Sequence, residues 1–218
     1  MIKKTFLTYY FKYLFKYQGD DLRFKVVETQ KERKPAFDVR GRVYGQEEGF
    51  FVQSPNNNIL CEDEFDRYSV LGLAYHGSLP IGSARLILDS GLGPQIENYF
   101  NIDPIEHRVR PFAGEISRFG VLKNYRGKIY RRLPSVGLLR LLYCESERLG
   151  LEYWYMSMGQ KLHNSFREMD CFFRELRQYE LTDKQKEKRA LLGNYWKKVD
   201  AKPYYIPLKE ISWIKKIV

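Results

Sequence analysis

Apolar positions recur every three or four residues over 2 to 17, where Phe6, Tyr9, Tyr10, Tyr13, Leu14 and Tyr17 alternate with Lys3, Lys4, Lys12 and Lys16. That interval predicts a terminal helix, or a strand, packed on the domain. The same aromatic and basic mixture is compatible with peripheral membrane contact by an interfacial helix. A strand is predicted over Leu22 to Glu28, then a charged loop ending at Pro35, then a short helix from Phe37 to about Gln46. That helix would put Arg40 and Tyr44 one turn apart on one face. Ser54 to Asn58 reads as a loop. The extended runs Ser69 to His76 and Leu79 to Leu88, joined at Gly77-Ser78, give the strongest hairpin signal.

Gly91 to Pro104 reads as a short helix or a crossing loop. Pro111 to Val121 then reads as a buried strand that nevertheless carries Glu115, Ser117 and Arg118. Unpaired polar groups are expensive in such a place, so this strand needs a polar reason. Alternation puts Glu115, Ser117, Phe119 and Val121 on one face and Ile116, Arg118 and Gly120 on the other, unless a bulge re-aims one of them. A basic loop, Lys123 to Lys128, precedes a helix opening near Pro134-Ser135 and stopping at Leu149-Gly150. Its N-terminus, with free backbone N–H groups, suits a phosphate or pyrophosphate. A strand over Glu152 to Met158, a helix over Leu162 to Arg177, a charged segment over Asp183 to Arg189 and an extended piece over Pro203 to Leu208 complete the chain. This order predicts an α/β (α+β) fold, one domain spanning the 218 residues.

Charge narrows the partners. The 37 Lys+Arg against 27 Asp+Glu give a net +10, which favours an anionic partner. The basic residues are scattered, with no zinc-finger spacing or RNP-type aromatic run, so nucleic acid is set aside. Cys61, Cys144 and Cys171 are widely spaced and odd in number, suggesting neither a disulfide framework nor a metal site. No apolar run approaches the ~18 residues of a membrane span, and the start lacks a cleavable leader pattern. A soluble, cytoplasmic protein is expected.

Four short patterns occur in order between residues 40 and 121: Arg40-Gly41-Arg42-Val43-Tyr44 followed by Phe50, Asp63-Glu64-Phe65-Asp66, Gly82-Ser83-Ala84-Arg85-Leu86, and Glu115-Ile116-Ser117-Arg118-Phe119. Together they resemble the GNAT-related autoinducer synthases of the LuxI type and their relatives, the FeeM-like N-acyl amino acid synthases and the acyltransferases associated with PEP-CTERM/exosortase systems. The resemblance implies a GNAT-like domain with a central mixed, mostly antiparallel sheet flanked by helices. It implies an enzyme with no bound cofactor, whose donor is the acyl-phosphopantetheine of acyl carrier protein and whose acceptor is a small amine. Two departures favour an amino acid over S-adenosylmethionine as acceptor. Phe50 stands where autoinducer synthases usually have Trp, and Leu-Ile-Leu-Asp follows Arg85 in place of their Pro-Thr-Thr. An acyl-homoserine lactone synthase is the alternative within the family; a non-catalytic module binding lipid or an anionic surface is the alternative outside it.

On this resemblance Glu115, Ser117 and Arg118 form the expected catalytic group, with Glu115 the candidate general base or, in the plainer reading, half of a structural ion pair. Arg118 and Arg85 would hold an acceptor carboxylate or buttress Asp63, Asp66 and Glu115. Asp63 and Asp66, with Arg40, suggest either an ionic network beneath a lid or a solvated acidic turn. Tyr44, Phe50 and Phe51 would wall the acceptor site, with Phe119 also among the substrate-binding residues. Tyr153, Trp154, Tyr155 and Met158 would line an acyl tunnel or be ordinary core. Arg126, Gly127, Lys128, Arg131 and Arg132 would meet the pantetheine and steer an acidic carrier protein, or be a solvated helix start.

Overall fold

The computed structural model describes residues 2–18, 21–50, 62–126, 132–191 and 194–217. Helix α1, Ile2–Gln18, buries Phe11 and Leu14, and Phe11 stacks on Trp213 of the C-terminal 3-10 segment Leu208–Ile217. The terminal helix therefore packs on the domain, while Phe6, Tyr9 and Tyr13 remain exposed. Strand β1, Leu22–Val26, leads into α2, Gln30–Arg40, which continues as a π-helical turn over Gly41–Glu47. The charged stretch expected to be a loop is thus the first half of α2. Its start is fixed by Glu32, whose carboxylate accepts the Glu28 N–H and the Lys25 ammonium. Pro35 falls inside the helix, costing it one backbone bond.

The hairpin forms as expected, from β2, Ser69–His76, and β3, Leu79–Ile87. Strand β4, Ala113–Val121, is followed by α3, Leu133–Arg148, then β5, Tyr153–Gly159, and α4, Gln160–Glu168. Helix α4 ends nine residues short of the predicted Arg177, because Asp170 turns left-handed at φ 59° and the Cys171 N–H closes onto the Phe166 carbonyl. The short β6, Arg174–Glu175, occupies part of the remainder. The charged segment is a helix, α5, Asp183–Ala190, started by a reciprocal Thr182–Gln185 capping box. A one-turn α6, Tyr195–Lys198, and β7, Ala201–Pro207, follow.

The strands form one seven-stranded sheet in the order β1-β2-β3-β4-β5-β7-β6. All neighbours are antiparallel except β4 and β5. Register assigns the two covering layers. A Cβ built on Gly82 would touch Leu138 of α3, whereas one on Gly120, which sits opposite Ser83, would fall 2.9 Å from Val43 of the π turn. Adjacent residues of β3 point to opposite faces, so α3 covers one face and α2 with its π turn the other. Glu115, Ser117 and Arg85 belong to the α2 face. Trp154 belongs to the α3 face, where its indole donates to Ser146 Oγ at 2.8 Å.

Candidate active site

Strands β4 and β5 pair only from Ala113–Tyr153 to Ile116–Met156. Beyond that point β4 keeps its partner β3 and β5 keeps β7, so the two central strands diverge into a wedge-shaped opening. The divergence begins at a bulge. Arg85 pairs with Ser117 and Ser83 with Gly120, setting Arg118 and Phe119 of β4 against the single residue Ala84. Arg118 takes φ 51°, a left-handed conformation that a non-glycine residue holds only at a cost of roughly 1–3 kcal/mol. The extra residue breaks the alternation and brings the Arg118 guanidinium round to the groups on the Ser117 face. The expectation that acid and cation stand on opposite sides unless a bulge intervenes is met by its exception.

A buried ionic network holds that bulge. Arg40 is 1% exposed and donates to Asp66 Oδ1 at 2.7 Å. Arg85, fully buried, spreads its guanidinium over Ser117 Oγ (2.8 Å), Asp63 Oδ1 (2.5 Å) and Gln95 Oε1 (3.1 Å), with Asp66 Oδ1 at 3.2 Å. Arg118 Nη2 donates to the other Asp63 oxygen at 3.0 Å. Asp66 also accepts the Asp63 N–H, so the Asp-Glu-Phe-Asp turn is folded around its own carboxylates. Burial works against ionisation of Asp63, but Arg85 and Arg118 hold its carboxyl well below the usual range. Burial likewise draws Arg40 down to about 10, with Asp66 opposing, and it remains a cation at neutral pH.

The wedge opens into a cavity of about 1140 Å³ on whose wall stand Ser117, Arg118 and Phe119 of β4 and Met156, Ser157 and Met158 of β5. Tyr44, Phe50, Tyr99 and Tyr195 close its polar side. Phe50 meets the Tyr195 ring edge-on at 5.2 Å, and Tyr44 donates to the Phe119 carbonyl at 3.0 Å. Burial raises the pKa of Tyr44, Tyr99 and Tyr195, so these phenols act as donors and not as bases at neutral pH. Leu162, Phe166 and Met169 add an apolar stretch to the lining, interleaved with Gln160, Lys161 and Ser165, and the Phe166 ring packs 5.9 Å from that of Phe119.

No protein family and no curated protein matches the sequence itself. Solved structures do match the fold. FeeM, an N-acyl amino acid synthase from uncultured soil microbes, is 11% identical, with 88% of this chain and 92% of that one covered at a TM-score of 0.56. BjaI, a CoA-dependent acyl-homoserine lactone synthase solved with SAM and isopentyl-CoA, is 15% identical, covering 88% and 87% at 0.62. An acyl-CoA N-acyltransferase from Pseudomonas aeruginosa is 16% identical, covering 84% and 98% at 0.52. The fold is GNAT-like.

Within this GNAT-like frame the predicted site residues separate by where they stand. Ser117, Arg118, Phe119, Tyr44 and Phe50 reach the cavity wall. Arg40, Asp66 and Arg85 do not; they are buried struts joining α2 to the bulge, with Asp63 between them and Arg118. Trp154, expected on a tunnel wall, lies on the far side of the sheet beneath α3, a placement its bond to Ser146 fixes.

Glu115 also stands off the cavity wall. It is 5% exposed, and its Oε2 accepts the Ile96 N–H at 2.8 Å, pinning the 3-10 turn Gln95–Asn98 that presents Gln95 to the cavity. Burial pushes its carboxyl up to about 8, although the Ile96 N–H and the charge of Arg85 pull the other way. Among the described residues no arginine lies within ion-pair distance of Glu115, and its carboxylate takes the Ile96 N–H as partner.

At the open end of the wedge, Arg126 and Arg132 are both engaged by carboxylates, Arg126 with Glu47 and Glu48 and Arg132 with Glu168. Phe51, Gly127, Lys128 and Arg131 lie outside the described residues. Sequence reasoning missed Tyr99, Ser157, Tyr195 and Glu47, all on the cavity wall. The Tyr195-Trp196 pair was the legible signal among them. Among the described residues no group of side chains is arranged to hold a metal ion, and no helix is long and apolar enough to cross a membrane.

Proposed function

We propose that the protein is an N-acyltransferase that moves a medium or long acyl group from acyl carrier protein to the amine of an amino acid, giving an N-acyl amino acid. The observation that carries this reading is the divergence of β4 from β5 with the bulged Arg118 on the wall of the opening. Extended backbone without a strand neighbour is a natural partner for the amides of a phosphopantetheine arm, which would lie in the wedge like an added strand. The acyl chain would then occupy the apolar stretch past Phe119 and Phe166, where each buried methylene contributes ~0.8 kcal/mol.

The acceptor would sit on the polar side, its carboxylate against Arg118 and its amine facing the thioester near Ser117. The nitrogen bonds to the thioester carbon, the C–S bond breaks, and the proton lost from nitrogen ends on the pantetheine sulfur. Holding both reactants in one cavity supplies most of what this aminolysis needs, and the protonated phenols of Tyr99 and Tyr195 are suited to bond the carbonyl oxygen or the departing sulfur, while that of Tyr44 is already committed to the Phe119 carbonyl. Glu115 is assigned a positioning role, through the turn that carries Gln95.

The test is incubation with acyl-carrier thioesters and single amino acids, followed by mass spectrometry. An amide-linked acyl amino acid is expected. A homoserine lactone formed only with S-adenosylmethionine would replace this reading by the autoinducer synthase, and liposome binding without any acyl transfer would replace it by the binding module.

A further inference from the structure

Where the donor arm would leave the protein, the chain already holds carboxylates of its own. Lys123 lies six residues beyond Ser117, at most roughly 20 Å along extended chain, a span comparable with a phosphopantetheine arm. A thioester at Ser117 whose arm ran along β4 to the open end of the wedge would bring its phosphate toward Lys123. There both carboxylate oxygens of Glu47 accept the Lys123 N–H, at 3.0 Å each, and Arg126 Nη2 reaches Glu47 at 2.6 Å. Arg126 also pairs with Glu48, and Lys198 Nζ fastens the turn by bonding the Glu48 and Gly49 carbonyls at 3.0 and 3.1 Å. These groups line the cavity and are only partly exposed, with side-chain exposures of 21% for Glu47, 33% for Arg126 and 36% for Glu48. Solvent thus screens them less than an open surface pair.

We propose that Glu47 and Glu48 are donor-selectivity residues: they fill the anion position at the mouth of the wedge and exclude thioester donors that carry a nucleotide diphosphate. This rests on the acyltransfer reading above. A coenzyme A thioester would bring a diphosphate and a further phosphate to a place where, among the described residues, the Lys123 N–H and the Arg126 guanidinium are already engaged and two carboxylates line the wall. A phosphopantetheine on a carrier protein brings one phosphodiester, which needs no second anion position. Like charges set against one another in a partly desolvated mouth weaken the wrong partner more than they help the right one.

Calorimetric titration of the full-length protein with coenzyme A and with 4′-phosphopantetheine tests the proposal without relying on turnover. Glu47→Gln with Glu48→Gln should tighten coenzyme A at least about tenfold more than it tightens phosphopantetheine, shifting selectivity toward the nucleotide. Equal gains for both ligands, or no gain for either, overturn it. Glu47→Ala alone serves if the double variant does not fold, with the same direction expected. The two readings fail separately. A protein that acylates amines but shows no such shift removes the filter alone, whereas one that acylates nothing removes the reaction and leaves the affinity shift to be read.

Discussion

Two clusters of arginines and carboxylates flank the wedge, and they differ in solvent more than in composition. Behind β4, Arg40, Asp66 and Arg85 are 0–1% exposed, and each charge answers another at hydrogen-bond distance. At the mouth, Arg126, Arg132, Glu47, Glu48 and Glu168 are 21–58% exposed. Removing one partner from the first strands a charge in the interior, while water can replace a partner in the second. The inner network therefore acts as scaffold, holding a strained Arg118 in place. The outer pairs are exchangeable, which is what a donor entry requires.

The largest consequence belongs inside. Asp66→Ala should cost about 3–5 kcal/mol in denaturant unfolding, because Arg40 and Arg85 lose a buried counter-charge; a loss below about 1 kcal/mol would mean the two clusters do not differ. Next comes Arg118, where the scaffold meets the substrate. Arg118→Ala should lower kcat/KM for the amino acid roughly 10–100-fold, as expected from the ~1.5–3 kcal/mol of a charged hydrogen bond. With the amino acid methyl ester as acceptor, the gap between variant and wild type should close; a gap of the same size with both acceptors would remove the carboxylate contact.

Glu115 gives a smaller effect with a definite sign. Its carboxyl is raised from an ordinary 4.5 to about 8, so the folded chain holds this proton when the unfolded chain has released it. Its contribution to stability is complete below pH 4.5 and is lost as pH rises through 8. Melting temperature should accordingly decline across that range, and Glu115→Gln, which keeps an oxygen for the Ile96 N–H, should flatten the decline. Turnover should fall less than about tenfold; a fall of ~10² or more would restore Glu115 to the role of general base. The smallest effect lies at the mouth, where Glu168→Gln, breaking the pair with Arg132, should change stability by less than about 1 kcal/mol.

Much of this arrangement is legible in the residues. The Gly77-Ser78 hairpin, the strand carrying Glu115 and the helix after Pro134 announce themselves through alternation, turn chemistry and a proline start. The Asp63 and Asp66 turn, Arg85 and Arg118 are recognisable as one constellation because charges set in buried strands must find counter-charges in one another. Hidden from the sequence is the direction each group faces. Nothing in Glu-Ile-Ser-Arg-Phe says that a bulge at Arg118 reverses the alternation, so that Arg118 reaches the cavity while Glu115 turns to a backbone N–H. Trp154 is misplaced by the sequence for a related reason, since in β5 buried and half-exposed positions alternate but aromatic residues occupy both, so the sequence carries no mark of which face is the site. Helix α2 reads too short because Pro35 looks like a stop, yet the helix carries it as an interior residue beyond a start that Glu32 secures. The capping box at Thr182 and Gln185 is present in the sequence and is the signal that turns the charged segment into a helix.

The central claim is that donor and acceptor meet in the opening between β4 and β5. Ser157 stands on the cavity wall past the last β4–β5 pair, and Ser157→Trp would fill the wedge with a bulky ring. Acyl transfer from a carrier thioester to an amino acid, followed by mass spectrometry for wild type and this variant at equal folded concentration, is the measurement that decides. An N-acylated product is expected from the wild type and none from the folded variant. Transfer by the variant at the wild-type rate would contradict it.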